Sequence, residues 1–152
     1  MNRREIRELV LQALYAYEVG KNSREEVLNH ILKQRLDSDK EALKFAESMV
    51  LRTLDMEEEL DEIINQQIKN WEIHRLAVID KLILRLALCE FLRYEEIPTK
   101  VTINEAIELA KNFSTQKSGK FVNGILDAAL QMLKSEGRIK KSGRGLIETT
   151  RK

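Results

Sequence analysis

Three features of the sequence predict an all-helical fold. One proline and six glycines in 152 residues leave few chain breakers, and apolar residues return at intervals of three and four along nearly the whole chain. Ser or Thr followed three residues later by Glu marks several helix starts. No stretch is left for strands. A chain of this length with 43% hydrophobic residues buries a core without disulfide or metal staples, so one folded domain is expected.

The first helix is predicted from about Arg3 to Val19, stopping at Gly20. Ser23 with Glu26, and Ser38 with Glu41, have capping-box spacing, in which side chain and backbone satisfy each other's open hydrogen bonds; helices two and three begin there. The third runs past LRTL into DMEEELDEIINQQIKNW and bends or restarts near Asp55, where six acids and no base occur up to Glu62. Carboxylates suit a helix N-terminus or a solvated face, and that run reads as one of these. Residues 76–92, LAVIDKLILRLALCEFL, are apolar round most of the helix, as a central helix must be. Pro98 marks a connection, Thr102 with Glu105 has capping-box spacing in VTINEAIELAKNF, and the last helix is predicted from near Lys117 to about Ser135. Residues 137–152, GRIKKSGRGLIETTRK, hold six bases, one acid and three glycines, and read as a flexible basic tail.

Charged residues make up 34% of the chain, yet 26 bases against 25 acids leave a net charge of +1, so net charge alone announces no nucleic-acid partner. The single Cys89 lies in an apolar run, as a buried small hydrophobe in a reducing compartment does. The N-terminus is charged, and Asp80, Lys81, Arg85 and Glu90 interrupt the densest apolar run. A cytoplasmic protein with no membrane span is therefore expected. His30 and His74 have no Cys or carboxylates at metal-ligand spacing, and no nucleophile motif or cofactor fingerprint is present. Neither catalysis nor a cofactor is expected.

Two basic faces remain. At about 100° per residue, Ile6, Leu9, Val10, Ala13, Leu14 and Tyr17 form the buried arc of the first helix, and Arg3, Arg4, Arg7, Leu11 and Tyr15 lie beside it. Guanidinium groups with an apolar edge suit RNA, and cations at a helix N-terminus oppose the macrodipole, which weakens a purely stabilising explanation. In the last helix Val122, Ile125, Leu126, Ala129, Leu130 and Leu133 face inward. Lys117, Lys120, Asn123, Gly124 and Asp127 lie opposite, with Phe121 at the border. Two cations, a stackable ring and an amide fit single-stranded nucleic acid. The plainer alternative makes Phe121 a core residue and Gly124 a close-packing position.

Four segments together closely resemble the NusB transcription antitermination family: NRREIRELVLQALYAYE, NWEIHRLAVIDKLILRLALCEF, IPTKVTINEAIELAKNFS and SGKFVNGILD. The combination of IP-x-x-V-x-INEA with KFVNG-x-LD is specific, and the likeness extends to about Leu133. It implies an all-α fold of two small helical bundles packed together, about 1–70 and about 71–136, within one domain of residues 1–136, leaving 137–152 as a tail. It implies a cytosolic, non-enzymatic protein that pairs with NusE, a ribosomal protein of the small subunit. With NusE it would bind the single-stranded boxA element of nascent ribosomal RNA, so that the RNA polymerase antitermination complex resists termination. Self-association of the free protein as a storage homodimer is also implied.

Carried over by residue, Arg3, Arg4 and Arg7 match the arginine-rich N-terminal motif, with Glu5 and Ile6 interrupting what is often a denser run. Lys120, Phe121 and Asn123 match KFVNG on the RNA side, and Lys117 joins them by charge. Tyr15 and Asp80 match positions resembling the NusE-facing surface. Two rivals are the RNA-binding N-terminal domain of a ribosomal RNA cytosine methyltransferase and a self-associating helical adaptor for proteins.

Overall fold

The computed structural model describes residues 1–68 and 73–147, and every regular element among them is helical. The expected bundle boundary near residue 70, and residues 148–152 of the expected tail, lie outside the described residues. The chain divides into two compact units, Met1–Asp55 and Met56–Lys152.

In the first unit, α1 (Arg3–Glu18) begins at a capping box the sequence reading missed. Asn2 accepts from the Glu5 N–H, and Glu5 accepts from the Asn2 N–H. Glu5 therefore interrupts the arginine run because it closes the helix end. Past the C-terminus, Lys21 takes a left-handed φ of 59°, and the Asn22 backbone and side-chain nitrogens both donate to the Ala16 carbonyl. A Cβ on Gly20 would stand 2.7 Å from that oxygen, which explains the glycine. The Ser23–Glu26 box forms as expected and opens α2 (Arg24–Val27), which continues through a π-helical turn (Leu28–Lys33) into α3 (Gln34–Leu36).

The Ser38–Glu41 box is not the cap of α4 (Lys40–Asp55). Asp39, one residue nearer the helix, accepts the Ala42 N–H at 3.1 Å instead. A charged acceptor at this position also suits the helix dipole. α1 packs on α4 and on the π-helical turn, and Leu9, Val10, Leu14, Leu32, Met49 and Val50 form the core of this unit.

The helix break expected near Asp55 occurs at Met56, whose φ of −98° and ψ of 11° leave the helical region. α5 (Glu57–Gln67) follows, and it belongs to the second unit rather than to a bundle ending near residue 70. The reason lies in its packing. Leu60, Ile63 and Ile64 are buried, and Asp61 takes a two-pronged hydrogen bond from Arg85 at 2.7 and 2.8 Å. Arg85 is itself buried and also faces Glu57 at 3.7 Å, so the acidic run supplies the counter-charges of a core arginine. Asp61 is only part-buried, so removing it costs less than the roughly 3–5 kcal/mol of a fully buried pair.

α6 (Val78–Arg93) is the centre of this unit, with α5, α7 (Thr99–Phe113) and α8 (Gln116–Ser135) packed on it. Its residues Leu82–Phe91 are buried without a gap, Cys89 among them. Thr102 does not cap α7, which starts three residues earlier behind Pro98; its hydroxyl donates to buried Glu90 at 2.8 Å. Satisfying a buried carboxylate outweighs a cap that the chain can leave to water.

The segment after α8 differs from the expected flexible tail. Gly137, at φ 69°, ends α8 in a Schellman motif: Arg138 N–H donates to Leu133 O and Gly137 N–H to Lys134 O. Arg138 pairs with Glu59 and Glu136, both at 2.9 Å. The Lys141 ammonium donates to the carbonyls of Glu90 and Tyr94 at the end of α6, and Ser142 N–H donates to Glu95 O. A short 3-10 turn, Gly143–Leu146, brings Gly145 so close to Glu95 O that no Cβ fits there. A cation at a helix C-terminus answers open carbonyls and the dipole together.

Candidate nucleic-acid interface

The candidate residues fall in both units. In the first, the head of α1 carries Arg3 and Arg4, both exposed, and the Arg3 guanidinium carbon lies over the Phe45 ring of α4, 3.6 Å from its centroid. Stacking holds the planar group in place while leaving donors at its edge. Sequence reasoning missed Phe45, although it falls on the apolar spacing Ala42, Phe45, Ala46, Met49 of α4. Arg7 does not share this exposure. It is 3% exposed and Leu11 2%, so both leave the surface stripe assigned to them. Positions 7, 11 and 14 stack on one helix face, and Leu14 draws that face into the core. Tyr15 is 41% exposed, a large aromatic open to a partner.

In the second unit the first turns of α8 put Lys117, Lys120 and Phe121 on one face, with Asn123 well round the helix from Phe121. Thr115 caps the helix by accepting from Ser118 N–H, and Ser118 Oγ, at 5% exposure, donates to Asp80 Oδ2 at 3.0 Å. Asp80 is therefore no exposed rim charge: it is 8% exposed, and its other oxygen has no hydrogen-bond partner. A Cβ on Gly119 would stand 3.4 Å from Lys111 and 3.6 Å from Ile107 of α7. Val122, Ile125, Leu126, Ala129, Leu130 and Leu133 are buried as the periodicity predicts. This anchored face fixes the outer one.

On that outer face Lys117 and Lys120 are exposed and make no ion pair among the described residues, whereas Lys111 nearby faces Glu108 at 3.9 Å. Phe121 is 36% exposed, whereas Asn123 is half-buried with its side-chain oxygen enclosed and without a partner among the described residues, so that acceptor leaves the outer face assigned to it. Gly124 does not serve close packing, because a Cβ there would meet nothing within 4 Å. Phe113, at the end of α7, is a further exposed aromatic at 39% that the sequence reading left unassigned. The arrangement offers two cations without an ion pair among the described residues, a ring and a bare backbone patch. It can hold phosphates and stack a base.

The profile of the NusB family matches residues 4–131. The chain belongs to the NusB family. A relative in Salinibacter ruber (strain DSM 13855 / M31), named transcription antitermination protein NusB, is 48% identical over 146 residues, which is 96% of this chain and 91% of that one. Among solved structures, T. maritima NusB has a TM-score of 0.80 at 38% identity, with 86% of this chain and 92% of that one covered. A structure of antitermination factors NusB and NusE in complex with double-stranded RNA matches with a TM-score of 0.78 at 25% identity, covering 86% and 96%. Relatives in Chloroherpeton thalassium and Bacillus mycoides carry the same name, transcription antitermination protein NusB. The arm after residue 131 lies outside the family match.

Proposed function

We propose that this chain is a non-enzymatic, cytoplasmic antitermination adaptor that pairs with NusE and binds single-stranded boxA RNA within the transcribing polymerase complex. The observation that carries this reading is the outer face of α8, where Lys117 and Lys120 flank Phe121 and neither cation has an ion pair among the described residues. A NusB relative solved with NusE and RNA supports both partners. That RNA is double-stranded, but an exposed ring edge favours an unstacked base, because paired bases in an A-form helix keep their faces to themselves.

Arg3 and Arg4 supply further phosphate contacts, Tyr15 an aromatic anchor toward NusE, and Asp80 acts by holding Ser118 at the head of α8. Titration of a boxA-like single strand, a scrambled strand and a duplex, each with and without NusE, tests this. The boxA strand binds most tightly and NusE strengthens it; equal affinity for all three RNAs removes the sequence-reading part of the proposal.

A further inference from the structure

We propose that the second unit holds a separate phosphate-binding site, in the cleft between the C-terminal arm and the head of α7. The cleft has a volume of about 360 Å³ and is lined by Thr99, Lys134, Lys140 and Lys141, with Ile139 and Leu146 as apolar walls. That size accommodates a phosphate group with part of what carries it. Three observations converge on an anion. First, three lysines line the cleft and no acid does. Second, α7 starts behind Pro98 with no side-chain cap, and the N–H groups of Thr99 and Lys100 have no hydrogen-bond partner among the described residues. Open N–H groups and the positive end of a 15-residue helix favour a bound anion. Third, Thr99 is more than nine-tenths buried, lines the cleft and makes no side-chain hydrogen bond among the described residues.

The Thr99 oxygen is unpaired among the described residues and open to the cleft, so its hydroxyl is free to bond a group bound there. Hydroxyl, amides and ammonium groups together match an oxyanion with several acceptor oxygens, and a phosphate satisfies more of them than a carboxylate does. The arm builds this cleft. Lys141 is held against the last carbonyls of α6, Ser142 against Glu95 O, and the contact at Gly145 fixes the turn that closes one side. The site stands apart from the RNA face of α8 and does not rest on that reading.

The test is a nitrogen-15 NMR titration of the full chain with inorganic phosphate at constant ionic strength, with acetate as the carboxylate control. Saturable shifts of the Thr99 and Lys100 amides are expected, absent with acetate and weakened roughly tenfold or more in Thr99→Val and in Lys140→Glu. Both variants change one side chain at a helix head or an exposed arm position and keep the fold, which the remaining spectrum verifies. Non-saturating shifts, shifts equally strong with acetate, or binding unchanged in both variants would overturn the site. A second arm distinguishes the source of the phosphate: a short single-stranded RNA that saturates the same two amides identifies the RNA backbone. RNA that moves only the Lys117–Asn123 amides, while inorganic phosphate still saturates Thr99, identifies a free phosphate.

Discussion

Ser118 Oγ donates to Asp80 Oδ2 at 3.0 Å across 38 residues of sequence, and this bond ties the start of α8 to the start of α6. Ser118 also lies within 2.9 Å of Ser114 Oγ and 3.1 Å of Thr115 Oγ1, so it knots the turn before the RNA face. Ser118→Ala leaves the Asp80 carboxylate buried with neither oxygen bonded and should cost about 1–3 kcal/mol. Asp80→Asn with Ser118→Ala should cost less than the two single changes added together, with a coupling of about 0.5–3 kcal/mol. Urea denaturation of the four proteins in this cycle measures it. Strict additivity would show that the pair makes no joint contribution.

Gly124→Ala separates stability from binding. The helix interior gains about 0.5–1 kcal/mol from replacing glycine, and a Cβ there meets open space, so the melting temperature should rise. RNA affinity should fall, because the methyl group stands where a nucleotide approaches the backbone beside Phe121. Calorimetric melting and RNA titration of the same sample decide it; a stabilised protein with unchanged affinity removes Gly124 from the contact surface.

Phe121 is partly exposed, so its truncation should cost less stability than the roughly 3–5 kcal/mol of a fully buried phenylalanine. If the ring stacks on a base, Phe121→Ala should weaken RNA binding by about 1–3 kcal/mol. Loss of stability with affinity preserved, after correction for the folded fraction, would make Phe121 a core residue only.

Lys141 gives a pH signature. Burial against the α6 terminus lowers its pKa from 10.5 to about 8, with Glu90 and Glu95 opposing the shift. Below about pH 8 the ammonium is charged in folded and unfolded chains alike, and the full burial cost is present. Between about 8 and 10.5 the unfolded chain binds more protons, so this group's contribution to stability rises with pH. The stability of the wild type relative to Lys141→Met should therefore be greater at pH 9.5 than at pH 7, as read by urea unfolding at both; a difference independent of pH would show that Lys141 is not buried at the helix end.

The repeating apolar pattern made the helices legible, and the inward residues of α8 from Val122 to Leu133 are the ones the structure buries. Where the reading failed, the deciding contact was distant or competed with a local signal. Thr102 looks like a cap because Glu105 stands three residues on, yet buried Glu90, twelve residues back, takes its hydroxyl. Arg7 looks like one of three surface arginines, but it shares a helix face with Leu11 and Leu14. Asp80 reads as a surface charge, and only the fold brings Ser118 to it. The arm was read from its charge and glycines. The Gly137 helix stop and the reach of Lys141 to α6 depend on backbone groups that composition does not display.

The central claim is that cations on the outer face of α8 hold RNA phosphates. It is tested most directly by the salt dependence of boxA affinity for the NusE complex, measured for the wild type and for Lys117→Ala/Lys120→Ala. Each phosphate contact on a single strand contributes a slope of about −0.7 in log affinity against log salt. The double variant should therefore bind more weakly and flatten the line by about 1.4, with its melting temperature unchanged. An unaltered slope and affinity would place the RNA elsewhere on the protein.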